Sequence, residues 1–238
     1  MSGSLTALLR RQLAEVVDAE RAAAPPLSTG IAALDRLLPG GGGLPRGRIT
    51  EVVSHGGGTT TFVRGVVEDA VARRGLWVAY VDATRTLAPR DWAHLGAHEG
   101  FWAVRPRDPA RGAWCADVLL RSGAFALVVL DGAPALPRAV AVRLARLARE
   151  GGAALLLVDH GGGHGGGSAG APAVPLPGAL RLRVRQWRRR RRLAVAIERG
   201  GAPGGVEVPC AIVTPRRLGT TPEPRDRRAG GRANTRHR

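Results

Sequence analysis

The stretch "EVVSHGGGTTTFV", residues 51–63, places three glycines and three threonines directly after an apolar run and before a helical one. A glycine turn between a buried strand and a helix is where an α/β sheet binds phosphate: backbone N–H groups converge there and the helix dipole presents its positive end. The residues predict strand 48–53, turn Ser54–Gly58 and helix 59–74. The working form of such a loop is G-x-x-x-x-G-K-[ST], in which lysine reaches the outer phosphates and the hydroxyl holds magnesium. Here Thr59 stands at the lysine position, followed by Thr60, and the run up to Gly58 is one residue short. Gly56, Gly57, Gly58, Thr59 and Thr60 are therefore candidates for a weak or vestigial nucleotide site. The alternative is a loop that only turns the chain.

Outward from this turn, "LWVAYVD" (76–82), "FWAV" (101–104), "AFALVVLD" (124–131) and "AALLLVD" (153–159) are further continuous apolar runs, as strands buried on both faces require. Helical patterns lie between them at about 59–74, 89–96, 108–122 and 137–150. Gly75, Gly123 and Gly151 follow three of these as expected left-handed caps. Such alternation predicts an α/β fold, a mostly parallel twisted sheet with helices on both faces.

The flanks differ. Residues 1–26 hold an amphipathic segment, with Leu5, Leu8, Leu9, Leu13, Val16 and Val17 at helical spacing, closed by "APPL". It is either a separate docking helix or the first helix of the core, and the core itself is expected over 27–214. Residues 160–179 are built from glycine, proline and small residues and predict a flexible loop. Beyond it Leu180, Leu182 and Val184 alternate with Arg181, Arg183 and Arg185, and Leu193, Val195 and Ile197 follow the turn through Trp187–Arg192. This predicts a C-terminal antiparallel hairpin with one buried and one arginine-lined face. The tail 215–238 has little to bury and is expected to be disordered.

Net charge is +17, carried wholly by 36 arginines, since the chain has no lysine. That skew suits a GC-rich genome, but its placement is uneven: residues 181–238 hold 17 arginines against 4 acids. A polyanion, nucleic acid above all, is the expected partner of that quarter. Arg181, Arg183, Arg185, Arg188, Arg189, Arg190, Arg191 and Arg192 are the candidate DNA contacts, with a solvated face as the alternative. Trp187 either stacks on bases or closes the core beneath the turn. Cys115 and Cys210 read as core residues. His55, His160 and His164 read as solvated loop histidines, because no metal-ligand spacing links them, and no metal site and no catalytic triad is expected. No apolar run of membrane-spanning length or signal-peptide pattern occurs, so a cytoplasmic protein is expected.

"STGIAALDRLLPGGGGLPRGRITEV" (28–52), "YVDATRTLAP" (80–89) and "RSGAFALVVLDGAPAL" (121–136) together resemble RecA recombinases. The resemblance runs in order over about 27–213 and implies a RecA-like P-loop NTPase core in which Asp131 is the Walker B aspartate. Asp131 would then ligate magnesium; read alone, it equally suits a turn cap. The same resemblance places Thr84 where the water-activating glutamate belongs, His160 where the phosphate-sensing glutamine belongs, and Asp91 where an aromatic stacks on adenine, with the adjacent Trp92 a candidate substitute. A lost charge-assisted phosphate contact removes about 1.5–3 kcal/mol. ATP hydrolysis is therefore not expected, and no cofactor beyond weakly held ATP and magnesium.

"FWAVRPRDPARGAWCADVLLRSGAFALVVL" (101–130) is similar to the ImuA group, the RecA-related accessory proteins of damage-induced translesion mutagenesis. That implies translesion polymerase-type proteins, and RecA, as partners, in SOS-type DNA repair. An ATP-dependent recombinase with unorthodox nucleotide ligands, or a pure protein-interaction module, are the other readings.

Overall fold

The computed structural model describes residues 24–54, 57–132, 136–160, 176, 178–187, 189 and 191–210. The amphipathic segment, almost all of the glycine-rich loop and the basic tail expected from the sequence lie outside these residues.

Helix α1 (Ala32–Leu37) precedes β1 (Ile49–Ser54), and α2 (Thr59–Glu68) runs on through a π-helical turn, Asp69–Arg73, towards β2 (Val78–Asp82). A short helix α3 (Pro89–Trp92) and a 3-10 turn (Ala93–Ala97) lead to β3 (Phe101–Val104). A second 3-10 turn (Pro109–Arg111), α4 (Gly112–Ser122), β4 (Leu127–Asp131), α5 (Arg138–Glu150) and β5 (Ala154–Asp159) complete the alternation. Strands β6 (Leu180–Trp187), β7 (Arg192–Arg199) and β8 (Gly204–Pro209) close the described chain.

All eight strands form one sheet in the order β3-β2-β4-β5-β1-β6-β7-β8. The pairs from β3 through β6 are parallel, and β6-β7 and β7-β8 are antiparallel. The expected hairpin is present and continues into a third strand that the sequence reading did not separate. Its residues alternate between partly buried and exposed, so it lacks the continuous apolar run that marks the central strands.

Period-two alternation sends neighbouring strand residues to opposite layers. Val78, Tyr80, Leu127, Val129 and Leu156 join Phe62, Val63, Val66 and Val67 of α2 on one face. Ala79, Val81, Val128, Leu130 and Leu155 meet Ala116 and Leu120 of α4 and Leu144, Leu147 and Ala148 of α5 on the other. Burying each of the valine, leucine and phenylalanine side chains contributes about 1.5–3 kcal/mol, which fixes the strand register against a one-residue slip.

Before β1, Asp35 accepts hydrogen bonds from the Thr29 backbone N–H (2.9 Å) and hydroxyl (2.6 Å), tying the "STG" turn to α1. Leu27 and Leu44 exchange backbone bonds across the glycine run. Gly43 has φ +125, and a Cβ there would fall 2.0 Å from the Leu27 carbonyl oxygen. Two of the conspicuous sequence features thus serve chain entry into the sheet. Gly75 and Gly123 are left-handed as expected, but Gly151 is not; Gly152 takes that conformation one residue later. Cys210 is buried, whereas Cys115 is only partly so.

Candidate functional site

The carboxyl ends of β4, β5 and β1 lie side by side in the sheet, so residues that leave these strands converge on one edge. Around the glycine turn, Gly57 donates its N–H to Ser54 Oγ at 2.7 Å, and Gly57 and Gly58 have φ +87 and +103. Phe62 N–H bonds the Gly58 carbonyl at 2.9 Å, starting α2. Thr59 is buried at 1% exposure and Thr60 points to solvent. Gly56 and His55 lie outside the described residues.

Thr59 is not idle. Its Oγ1 lies 2.8 Å from His160 Nδ1, and His160 Nε2 lies 2.6 Å from Asp131 Oδ1. The other oxygen, Asp131 Oδ2, accepts the Tyr80 hydroxyl at 2.5 Å. A carboxylate only accepts, so Nε2 carries a proton towards Asp131, and in the neutral ring Nδ1 accepts from the Thr59 hydroxyl. Four side chains from four chain segments thereby form one line, Thr59–His160–Asp131–Tyr80, across the strand ends. Asp131 is 1% exposed, and two donors meet it there.

The electrostatics follow from this line. The hydrogen bond that His160 donates to Asp131 raises the His160 pKa above the ordinary histidine value; burial opposes the rise, and the charges of Asp131, Asp159 and Asp82 add to it. Burial, then the charge and hydrogen bond of Asp131, push the Tyr80 phenol far above its usual range, so it serves as a fixed hydroxyl donor.

Beside this line Asp82, also 1% exposed, ends β2. Its Oδ2 accepts from Arg105 Nε (3.0 Å) and Nη2 (2.8 Å), and its oxygens cap the Thr86 and Leu87 N–H groups. The "VDATRTL" segment is thus held as a turn by its aspartate. Thr84 is exposed and bonds Thr86 Oγ1 at 2.8 Å.

Two sequence expectations need correction. His160 is not a solvated loop residue: it bridges Thr59 and Asp131, because the end of β5 lies between β4 and β1. Among the described residues, the oxygens of Asp131 receive the side chains of His160 and Tyr80. Trp92 cannot stack on a base, since it is 3% exposed, lies parallel to Phe101 at 5.5 Å and meets Tyr80 edge-on at 5.1 Å. Tyr80 and Arg105 went unnoticed in the sequence. The one available signal was the parity of Tyr80 and Asp82 within a strand that ends beside Asp131.

The hairpin lies against the same turn. A Cβ on Gly58 would fall 2.9 Å from Gln186 Cβ and Leu193 Cδ1. On its arginine face, Arg181 bridges Glu51 (3.4 Å) and Glu198 (3.1 Å), Arg183 pairs with Glu198, and Arg192 meets Glu207 at 3.0 Å. Arg185 lies 5.1 Å over the half-buried Trp187 ring. Arg189 and Arg191 are exposed at the turn, and no carboxylate among the described residues pairs with either. Arg188 and Arg190 lie outside the described residues.

The model of the RecA N-terminal domain family matches residues 10–143, more than half of the sequence. The chain belongs to that family. Protein RecA of Ectopseudomonas oleovorans is 40% identical over 112 residues, covering 46% of this chain and 32% of that protein. Protein RecA of Teredinibacter turnerae is 41% identical over 121 residues, covering 50% and 35%. The chain spans about a third of the length of these curated relatives. The crystal structure of the RadB recombinase matches 76% of this chain and 94% of its own, with a TM-score of 0.55 at 22% identity, a likeness of fold. No helix among the described residues is long and apolar enough to cross a membrane.

Proposed function

We propose that this RecA-family chain is a non-catalytic accessory protein of DNA-damage tolerance, of the SOS-type translesion-mutagenesis kind. It binds protein partners, translesion polymerase-type proteins and RecA among them, and meets DNA through its basic C-terminal part in the cytoplasm. The observation that carries this reading is the Thr59–His160–Asp131–Tyr80 line. ATP with its magnesium needs a cation on the outer phosphates and a carboxylate turned to the metal. At this site Thr59 faces His160, Asp131 takes two protein donors, and Thr84 offers no base. The side chains do not fit hydrolysis. What remains for an anion is the left-handed turn at Gly57 and Gly58 and the first amides of α2.

DNA contact belongs to the turn of the hairpin. Arg181, Arg183 and Arg192 are paired with glutamates, which among the described residues of the turn leaves Arg185, Arg189 and Arg191 to meet phosphates.

Purified protein is expected to show no ATP turnover, with or without single-stranded DNA. Turnover that DNA stimulates and that Asp131→Ala abolishes would overturn the reading and install the rival one, an ATP-dependent recombinase with unorthodox ligands. The retained glycine turn and the RecA relatives favour that rival.

A further inference from the structure

Away from the strand ends, α4 and α5 carry a second feature that neither core nor site uses. Their inner faces are spent on the sheet through Ala116, Leu120, Leu144 and Leu147. On the outer side of α4, Trp114 is 60% exposed and Val118, one turn on, is 47% exposed. Both line a cavity of about 400 Å³ completed by Asp117, Arg121, Ser122 and Arg143.

The polar side of this cavity is built rather than incidental. Asp117 is buried and joins the two helices, accepting from Arg121 at 2.6 Å and from Arg143 at 2.9 Å. Both arginines keep more than half of their side-chain surface in solvent, so donors of each guanidinium face outward beyond the shared carboxylate. Arg111 lies 5.8 Å from the Trp114 ring and adds a third cation on the far side. An apolar floor made of an exposed tryptophan and a valine, rimmed by arginines, has the composition of a protein-binding hot spot.

We infer that the α4–α5 face, centred on Trp114, Val118, Arg121 and Arg143, docks a short segment of another protein that sets one bulky apolar side chain among aspartates and glutamates. The apolar side chain fills the cavity over Trp114 and Val118, and the carboxylates meet Arg111, Arg121 and Arg143. The chain's own C-terminal residues do not suit this site, since 211–238 hold eight arginines against two acids and would be repelled. Residues 1–23 carry three arginines and three acids, but the acids fall together in 13–20 beside Leu13, Val16 and Val17, so a peptide of that stretch is a competing occupant, and tighter binding of it than of the acidic probes would overturn the inference. Nucleic acid, whose bases stack on exposed tryptophans, is the other competing occupant, which the oligothymidine probe tests. The inference rests on the partner-binding half of the function proposed above and is independent of whether ATP is hydrolysed.

The test uses the full chain and four labelled probes in fluorescence polarisation. These are short peptides with a phenylalanine or leucine flanked by aspartates and glutamates, the same peptides with asparagine and glutamine in place of the acids, a peptide of residues 13–20, and oligothymidine. The acidic peptides are expected to bind at least roughly tenfold tighter than the neutral ones, and Trp114→Ala and Val118→Glu each to weaken them roughly tenfold or more. Both positions are exposed, so both variants should fold. Oligothymidine binding is expected to be the same in all three proteins. Absence of acidic-peptide binding, equal affinity for the neutral set, or wild-type affinity in either variant would overturn the inference. Loss of oligothymidine binding in Trp114→Ala would do so too, by giving the face to nucleic acid.

Discussion

At the scale of single residues, His160 decides how the strand ends are held, and its titration makes that measurable. Its folded pKa is raised, chiefly by the hydrogen bond to Asp131, while the unfolded value stays near about 6.5. A raised folded pKa contributes stability that is fully present below the unfolded value and is lost as pH rises through the folded value. Urea unfolding of the wild type should therefore show stability falling as pH climbs from about 6.5 upwards. In His160→Gln that part of the slope should vanish. His160→Ala should in addition cost about 1–3 kcal/mol, because buried Asp131 loses one of its two donors. An unchanged slope in His160→Gln would mean that another group sets the pH response.

At the scale of elements, the glycine turn and the hairpin are packed closely enough to leave no room for a side chain at Gly58. Gly58 combines φ +103 with backbone space that Gln186 and Leu193 close off. Gly58→Ala should destabilise the protein by about 2–4 kcal/mol, from left-handed strain plus overpacking, as read by the denaturation midpoint. Gly57→Ala meets nothing within 4 Å and should cost only the strain. The elements themselves were readable from the residues because β2, β4 and β5 lie inside the sheet and so write nearly continuous apolar runs, whereas β1 carries Thr50 and Glu51 within its run. Strand β8, "GGVEVP", was not, since an exposed-edge alternation with two glycines resembles a loop. The Thr59–His160–Asp131–Tyr80 line was unreadable for a different reason. Its members are separated by up to 101 residues and meet only once the strand order is known, and a histidine after "LLLVD" carries no local mark of its partner.

At the scale of the whole molecule, charge is distributed against function as much as against fold. The parallel core binds its own acids and arginines together in pairs such as Asp82 with Arg105 and Asp117 with Arg121 and Arg143. The excess sits in residues 181–238. Even there the sheet neutralises the arginines whose neighbours are Glu51, Glu198 and Glu207, so the field is concentrated at the hairpin turn and the residues after it. If that turn meets single-stranded DNA, each phosphate contact adds about 0.7 to the slope of log affinity against log salt. The double variant Arg185→Ala with Arg189→Ala should bind oligothymidine more weakly at low salt and lower that slope by about 1.4. Arg192→Ala, whose guanidinium is already paired with Glu207, should change the slope by less than either of those two alone. A titration across salt concentrations separates specific contact from diffuse attraction. If the slope is unaltered in the double variant, Arg185 and Arg189 lie on a solvated face and the DNA contact, where present, lies in the remaining arginines of residues 181–238.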